Sequence, residues 1–319
     1  MKILNIAIFG YGTVGKSTVD ILEKNNSNNN INIKYIAVRN IHDNSKIHDN
    51  SKISGIFTDN HDDIWNDPSI NVIIELIGGM KIAKDIIYKA IETNRHIITA
   101  NKAVLAEFGN EIFALAKKNN VTVGFEASVA GGIPIIQTLQ NHFSLGKINK
   151  IEGILNGTCN YMLSNLENDT SLSYSDVLKN AQDKGFAESN PSADVDGWDS
   201  AAKIAILSSL CFGIDIPKIT DFEVEGISNI TSEKIEEAQK QNKKIRLIGS
   251  AEKIENNNSR IKISVRPEII DQKNLLYSVN GSDNMIIIHH EYLGEISLKG
   301  AGAGGYATAM SVISDIIRL

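Results

Sequence analysis

Gly10, Gly12 and Gly15 stand in a G-x-G-x-x-G spacing directly after the apolar run 3–9 and directly before an amphipathic segment, 14–24. Strand, glycine turn and helix in that order constrain the fold more than any other feature of the chain. Gly10 permits the tight turn, Gly12 lets backbone approach a ligand, and Gly15 lets helix and strand pack closely. The helix then aims its positive N-terminal end at whatever lies above the turn, a natural seat for the pyrophosphate of a dinucleotide. A second apolar run, 33–38, follows at the spacing expected of a βαβ unit. Strand-like runs at 72–77, 96–99 and 121–126 then alternate with helical segments at 82–93 and 107–119. This alternation predicts an α/β fold, a doubly wound parallel sheet.

Near residue 131 the pattern changes. Residues 133–142 read as helix, 150–155 as extended, and 158–213 as mostly helical. Extended stretches follow at 244–252, 260–269 and 284–299. Helices segregated from strands predict a second α+β domain with a mixed or antiparallel sheet. The glycine-rich segment 300–305 and the helical segment 308–318 read as a return to the first domain. A chain of 319 residues suits this division, drawn here as 1–130 completed by 300–319, with 131–299 as the second domain. The net charge of −6 implies neither a nucleic-acid surface nor an acidic tail. Cys159 and Cys211 lack metal-ligand spacing and fit free thiols in a reducing cytoplasm. With no leader and no apolar run of spanning length, a soluble cytoplasmic protein is expected.

Where the second strand ends, an enzyme using NAD normally places an acid for the ribose hydroxyl. This chain has Arg39 there, and the nearest acid is Asp43. A guanidinium can stack on adenine and pair with a 2′-phosphate, so NADP is favoured over NAD. The sequence HDNSKI at 42–47 is repeated at 48–53. It reads as a surface-loop expansion, and nothing near His42 or His48 completes a metal site.

Chemistry is densest at 184–203, where Glu188, Asp194, Asp196, Asp199 and Lys203 open the apolar helical run 201–211. Carboxylates with a lysine one turn beyond Asp199 can grip a cationic amine and move a proton. Lys102, at the end of a parallel strand, is either a solvated loop residue or a group reaching the nicotinamide. Thr158 or Asn160 either caps a helix or faces a substrate. The run from Glu126 to Pro134 is either an oxygen-ligand cation site or a hinge.

Taken in order, the motifs GYGTVG to Gly15, TANK to Lys102, Glu126 to Pro134, GILNGTCNY to Tyr161, KGFAE through Lys203, and GAGAGGYATA to Ala309 resemble homoserine dehydrogenase. The resemblance runs from end to end of the chain. It implies a Rossmann-type nucleotide-binding domain and a second domain for substrate binding and dimerisation. It further implies interconversion of L-homoserine and L-aspartate 4-semialdehyde with NADP or NAD, in threonine, methionine and isoleucine biosynthesis. By position it implies Glu188 and Asp199 as substrate ligands, Lys203 as proton donor to the aldehyde oxygen, and Lys102 as a second lysine at the reacting end. Thr13, Val14, Lys102, Gly185 and Gly304 join the glycine turn as cofactor contacts. Glu126, Val129, Gly131 and Ile133 correspond to a sodium site. A homodimer is implied, with Met285 to Ile288 as candidate interface. A chain stopping at Leu319 is expected to lack the threonine-binding regulatory domain of longer members. Two rivals remain at this stage: another amino-acid dehydrogenase, which would lack the acid-rich run, and a non-catalytic cofactor sensor, which would not need Lys203, Asp199 and Lys102.

Overall fold

The computed structural model describes residues 3–25, 30–41, 53–143, 145–188, 190–254 and 260–319. The chain divides into two compact units, residues 1–132 with 303–319, and residues 133–302. The duplicated loop with His42, Asp43 and His48 lies almost wholly outside the described residues.

The first unit begins with β1 (Leu4–Phe9), α1 (Thr13–Lys24), β2 (Ile31–Ala37), β3 (Ile56–Thr58) and α2 (His61–Trp65). It continues with β4 (Val72–Glu75), α3 (Lys81–Glu92), β5 (His96–Thr99), α4 (Lys102–Lys118) and β6 (Val123–Gly124). Among the described residues these strands form a parallel sheet in the order β3-β2-β1-β4-β5-β6. Every residue of β4 is buried and so is nearly all of β1, as strands covered by helices on both faces must be. Ile6, Ile8, Ile36, Val72, Ile74 and Ile98 share one core cluster.

Two expectations change here, and two short elements are added. Helix α4 starts at Lys102 rather than 107, because the Asn101 side chain accepts from the Val104 amide and caps it. The last strand shrinks to two residues, and Glu126–Ser128 becomes a 3-10 turn. The elements β3 and α2 give little periodic signal because of their length.

The second unit contains α5 (Ile135–His142), β7 (Ile148–Ile154), α6 (Gly157–Asn168), α7 (Tyr174–Asp183), α8 (Ser192–Val195), α9 (Trp198–Phe212), β8 (Glu223–Val224) and α10 (Ser232–Lys240). It ends with β9 (Lys244–Lys253), β10 (Ile261–Ile270), β11 (Asp283–His290) and β12 (Gly294–Ala301). The sheet order is β12-β11-β7-β9-β10-β8, antiparallel except for the β10–β8 pair. The expected extended stretch 284–299 is therefore a hairpin. Met285 to Ile288, the candidate interface segment, lie on an inner strand and are buried within the chain itself; the edges are β12 and β8. Helix α9 is apolar nearly all round and correspondingly buried. Beneath α6, Arg246 is 0 % exposed and forms a two-pronged ion pair with Glu167.

The chain closes with α11 (Gly305–Ile317), which belongs to the first unit. Its Val312, Ile313 and Ile316 complete the core cluster built on β1. No helix among the described residues is long and apolar enough to cross a membrane.

Candidate active site

In the first unit the glycine turn has the form its sequence predicts. Gly10 has φ +106°, and a Cβ there would come within 2.6 Å of the Leu76 carbonyl oxygen. A Cβ on Gly15 would come within 2.1 Å of the Gly10 oxygen, while Gly12 has nothing within 4 Å. Two glycines are thus fixed by packing, and Gly12 leaves the start of α1 open on its outer side. No side chain caps α1, so its first amides and positive end remain available to an anion.

Above this turn is a cavity of about 900 Å³ lined by Gly10, Gly12, Thr13, Lys16, Arg39 and Asp59, among others. Arg39 is exposed and two residues beyond β2, as expected. Sequence reading missed Lys16 and Asp59. Lys16 directly follows the fingerprint and adds a cation where phosphates are expected; Asp59 is reached only through the short strand β3. The Asp59 carboxylate accepts from the Ile41 amide. Val14 packs against the core cluster, so its side chain is not a cleft group.

The carboxyl edge of the sheet is held by a buried acid. Glu75 is 0 % exposed and accepts from the Thr99 hydroxyl at 2.5 Å and the Ile77 amide at 2.7 Å. Thr99 Oγ1 in turn accepts from the Asn101 amide, and the Asn101 side chain donates to Gly79 O. This chain of bonds ties the loop after β4, which lines the cavity, to the turn that presents Lys102. Burial pushes the Glu75 carboxyl from 4.5 up to about 7, against the opposing pull of Thr99 and Ile77. The folded state therefore binds the proton more tightly than the unfolded state, and stability from this group falls as pH rises from 4.5 through 7. The penalty above pH 7 is roughly 3 kcal/mol. Glu75→Gln can keep both bonds, accepting from Ile77 and donating to Thr99, and is expected to abolish this slope. Urea midpoints from pH 5 to 8 check it; parallel profiles for both proteins would refute the assignment.

In the second unit Asn156 organises the acids. Its Oδ1 caps α6 by accepting from the Cys159 amide, and its Nδ2 donates to Asp194 Oδ1 at 2.7 Å and Asp199 Oδ2 at 2.8 Å. Asp199 lies in the first turn of α9, where a carboxylate meets the positive helix end. One turn on, Lys203 donates to Asp199 Oδ2 and to the Leu155 carbonyl, both at 2.7 Å. Asp199 and Lys203 are both buried. The result is a desolvated carboxylate–ammonium pair with a second carboxylate held beside it through Asn156.

Asn156, rather than Thr158 or Asn160, is therefore the cap. The Thr158 hydroxyl instead donates to Phe186 O and anchors the loop carrying Gly185, whose φ is +75°. Glu188 is exposed, and among the described residues its carboxylate joins no hydrogen bond or ion pair; the structure does not bring it into the Asp199–Lys203 cluster. Cys159 is buried beneath that cluster. Burial first, and the neighbouring Asp194 next, push its thiol well above the ordinary range, which leaves it unreactive.

The segment from Glu126 to Ile133 makes a tight turn in which Ala130 and Gly131 both take left-handed conformations. Glu126 is buried, and Gly131 O accepts from Ser311 while Ile133 O accepts from the Ile135 amide. At the head of α11, Gly304 has φ +120°. A Cβ on the following Gly305 would come within 2.5 Å of Ser17 Oγ, so α11 starts directly against α1.

Two family models match the chain: homoserine dehydrogenase over residues 134–317 and the homoserine dehydrogenase NAD-binding domain over residues 10–126. Among curated relatives, the homoserine dehydrogenase of Neisseria gonorrhoeae is 39 % identical, and that of Bacillus subtilis 36 %. Each alignment covers 100 % of this chain and 73 % of the relative. The crystal structure of a homoserine dehydrogenase from Thiobacillus denitrificans superposes with a TM-score of 0.92 at 36 % identity, over 99 % of this chain and 73 % of that one. A hyperthermophilic archaeal homoserine dehydrogenase in complex with NADPH gives a TM-score of 0.79 at 26 % identity, over 99 % and 97 %. The chain belongs to the homoserine dehydrogenase family of NAD(P)-dependent oxidoreductases acting on a CH–OH group.

Proposed function

We propose that this chain interconverts L-homoserine and L-aspartate 4-semialdehyde, with Lys203 as the proton-transfer group and Asp199 as its partner. The observation that carries the assignment is the buried Lys203, held at 2.7 Å from both Asp199 and the Leu155 carbonyl. A bound nicotinamide would supply the hydride acceptor or donor for the substrate's terminal carbon. In oxidation Lys203, as the neutral amine, takes the hydroxyl proton as the C4–H bond yields its electron pair. In reduction the ammonium returns that proton to the developing alkoxide. A protonated lysine cannot accept a proton, so oxidation should be faster at raised pH. Glu188 and Asp199 would bind the substrate ammonium, with the exposed Glu188 engaging only when substrate arrives. Lys102 would serve the reacting end of the bound cofactor.

For the cofactor, the glycine turn with Thr13 and the Val14 amide would hold the pyrophosphate, with Gly185 and Gly304 as further contacts. Arg39 and Lys16 supply two cations for a 2′-phosphate and the pyrophosphate, which supports NADP, the reduced form of which occupies the archaeal relative. Arg39→Ala is expected to weaken NADP by about tenfold or more, the scale of a charge-assisted contact, and NAD by far less. Homoserine-dependent reduction of each cofactor at alkaline pH measures both. Equal losses would remove Arg39 from the 2′-phosphate, and no reduction with either cofactor would sink the activity.

The turn at Glu126 suits a hard cation, since one buried carboxylate and the carbonyls of Val129, Gly131 and Ile133 are oxygen donors. Sodium is the ion proposed there, and activity independent of sodium would argue against it. We place the reaction in threonine, methionine and isoleucine synthesis in the cytoplasm. The chain is proposed to act as a homodimer through the second unit's sheet, of which β12 is one edge. Light scattering at the 34.9 kDa mass of one chain would refute the dimer.

A further inference from the structure

Lys203 shares its carbonyl acceptor with a residue from a distant part of the chain. Leu155 O accepts from Lys203 Nζ at 2.7 Å and from Asn284 Nδ2 at 2.9 Å. A carbonyl oxygen has two lone pairs, so these two donors fill it. They are therefore no more than about 5.6 Å apart, the sum of the two distances. Asn284 is on β11 and is 0 % exposed. Its amide orientation is fixed by chemistry, because only Nδ2 can donate to a carbonyl.

Two glycines box this amide in. A Cβ on Gly302 would come within 2.1 Å of Asn284 Cγ, and one on Gly157 would lie 3.7 Å from Asn284 Oδ1. The Gly302 backbone thus packs directly against the amide, and any side chain at 302 would displace it. Meanwhile Asn284 Oδ1 is buried with no hydrogen-bond partner among the described residues. Burying an amide with one end unmatched is costly, and a residue selected for packing alone would be apolar here. The cost is intelligible if the Nδ2 end is what matters.

Building on the proton-transfer role proposed for Lys203, we infer that Asn284 is a positioning residue for that lysine. It acts through the Leu155 carbonyl in two ways. It holds the oxygen in the direction from which Lys203 is aimed. It also competes for the lone-pair density that would otherwise stabilise the ammonium, and turns the positive end of its amide toward Nζ. Both effects favour the neutral amine that accepts the proton in homoserine oxidation. Titratable groups near Lys203 include Asp199 on its own helix, Asp194 held through Asn156, and the Cys159 thiol on α6, itself under the field of Asp196. The carboxylates of Asp199 and Asp194 favour the ammonium, so Asn284 opposes their pull.

The test uses the full chain with NADP and L-homoserine, measuring kcat from pH 7 to 10.5, and NADPH binding by fluorescence. Asn284→Leu keeps the branched heavy-atom shape and removes the donor; Asn284→Ser is smaller and keeps a donor. The leucine variant is expected to lower kcat about tenfold to a hundredfold, the scale of a misaimed catalytic group. The alkaline limb should move to higher pH while NADPH affinity is retained, and Asn284→Ser should recover much of the loss. Should the leucine variant fail to fold, Asn284→Ser against Asn284→Ala gives the same contrast. A leucine variant at the parent rate, or a loss with an unmoved limb and no rescue by serine, overturns the inference. Lys203→Ala run alongside separates the levels: if it stays active, the proton-transfer reading itself falls.

Discussion

Lys203→Ala is expected to lower kcat for homoserine oxidation by about two to four orders of magnitude, the range for losing a positioned acid–base group, and to leave NADPH affinity unchanged. The expectation rests on the isolation of Lys203 from water and on its fixed aim between Asp199 and Leu155 O. Removing the side chain also leaves Asp199 buried without its cation, so part of the fold's stability goes with it. Thermal unfolding separates the two effects. A folded variant with unaltered turnover would mean that another group moves the proton. Lys203→Arg is equally informative. Arginine keeps the charge and the bond to Asp199 but cannot give up its proton near neutral pH; it should restore stability without restoring turnover.

Glu167→Ala destabilises the second unit by about 3–5 kcal/mol, the cost of breaking a buried ion pair on one side. Arg246 crosses beneath α6 with no exposed surface, and its guanidinium also donates to Val279 O, Ile245 O and Asn280 Oδ1. Those bonds hold the cation in place when Glu167 is gone, so it cannot escape to water. The urea midpoint of the variant measures the loss. Replacing both partners with apolar residues, as in Glu167→Leu with Arg246→Met, should recover much of it, because no buried charge is then left alone. A single variant at parent stability would show that water reaches Arg246.

The first unit was legible from sequence because its signals are local. The glycine spacing and the continuous apolar strands are dictated by neighbouring residues, so Gly10 and Gly15 could be assigned roles that their packing against Leu76 and Gly10 bears out. What sequence could not deliver depends on distant partners. Asn156 looked like one polar residue among several in a turn, yet it joins Asp194 to Asp199 from about forty positions away. The cap at Asn101 was hidden because the helix it starts carries Lys102 and Ala103, which read equally well as a loop. Arg246 and Glu167 have no sequence mark at all; their pairing exists only once β9 has passed under α6. The exposure of Glu188 is likewise invisible in a motif whose Asp199 is buried and whose Asp194 and Asp196 are half-buried.

The first unit is discontinuous, and this affects how the chain can acquire its structure. Val312, Ile313 and Ile316 complete the core begun by β1, but they are synthesised only after the whole of residues 133–302. Until they arrive, the nascent sheet has an uncovered apolar face, and the long separation between partners makes closure a late, entropically costly event. The second unit, continuous in sequence, needs no such wait. The core of the first unit therefore cannot close before residues 133–302 have been synthesised. An apolar face uncovered for that interval is open to association with other nascent chains.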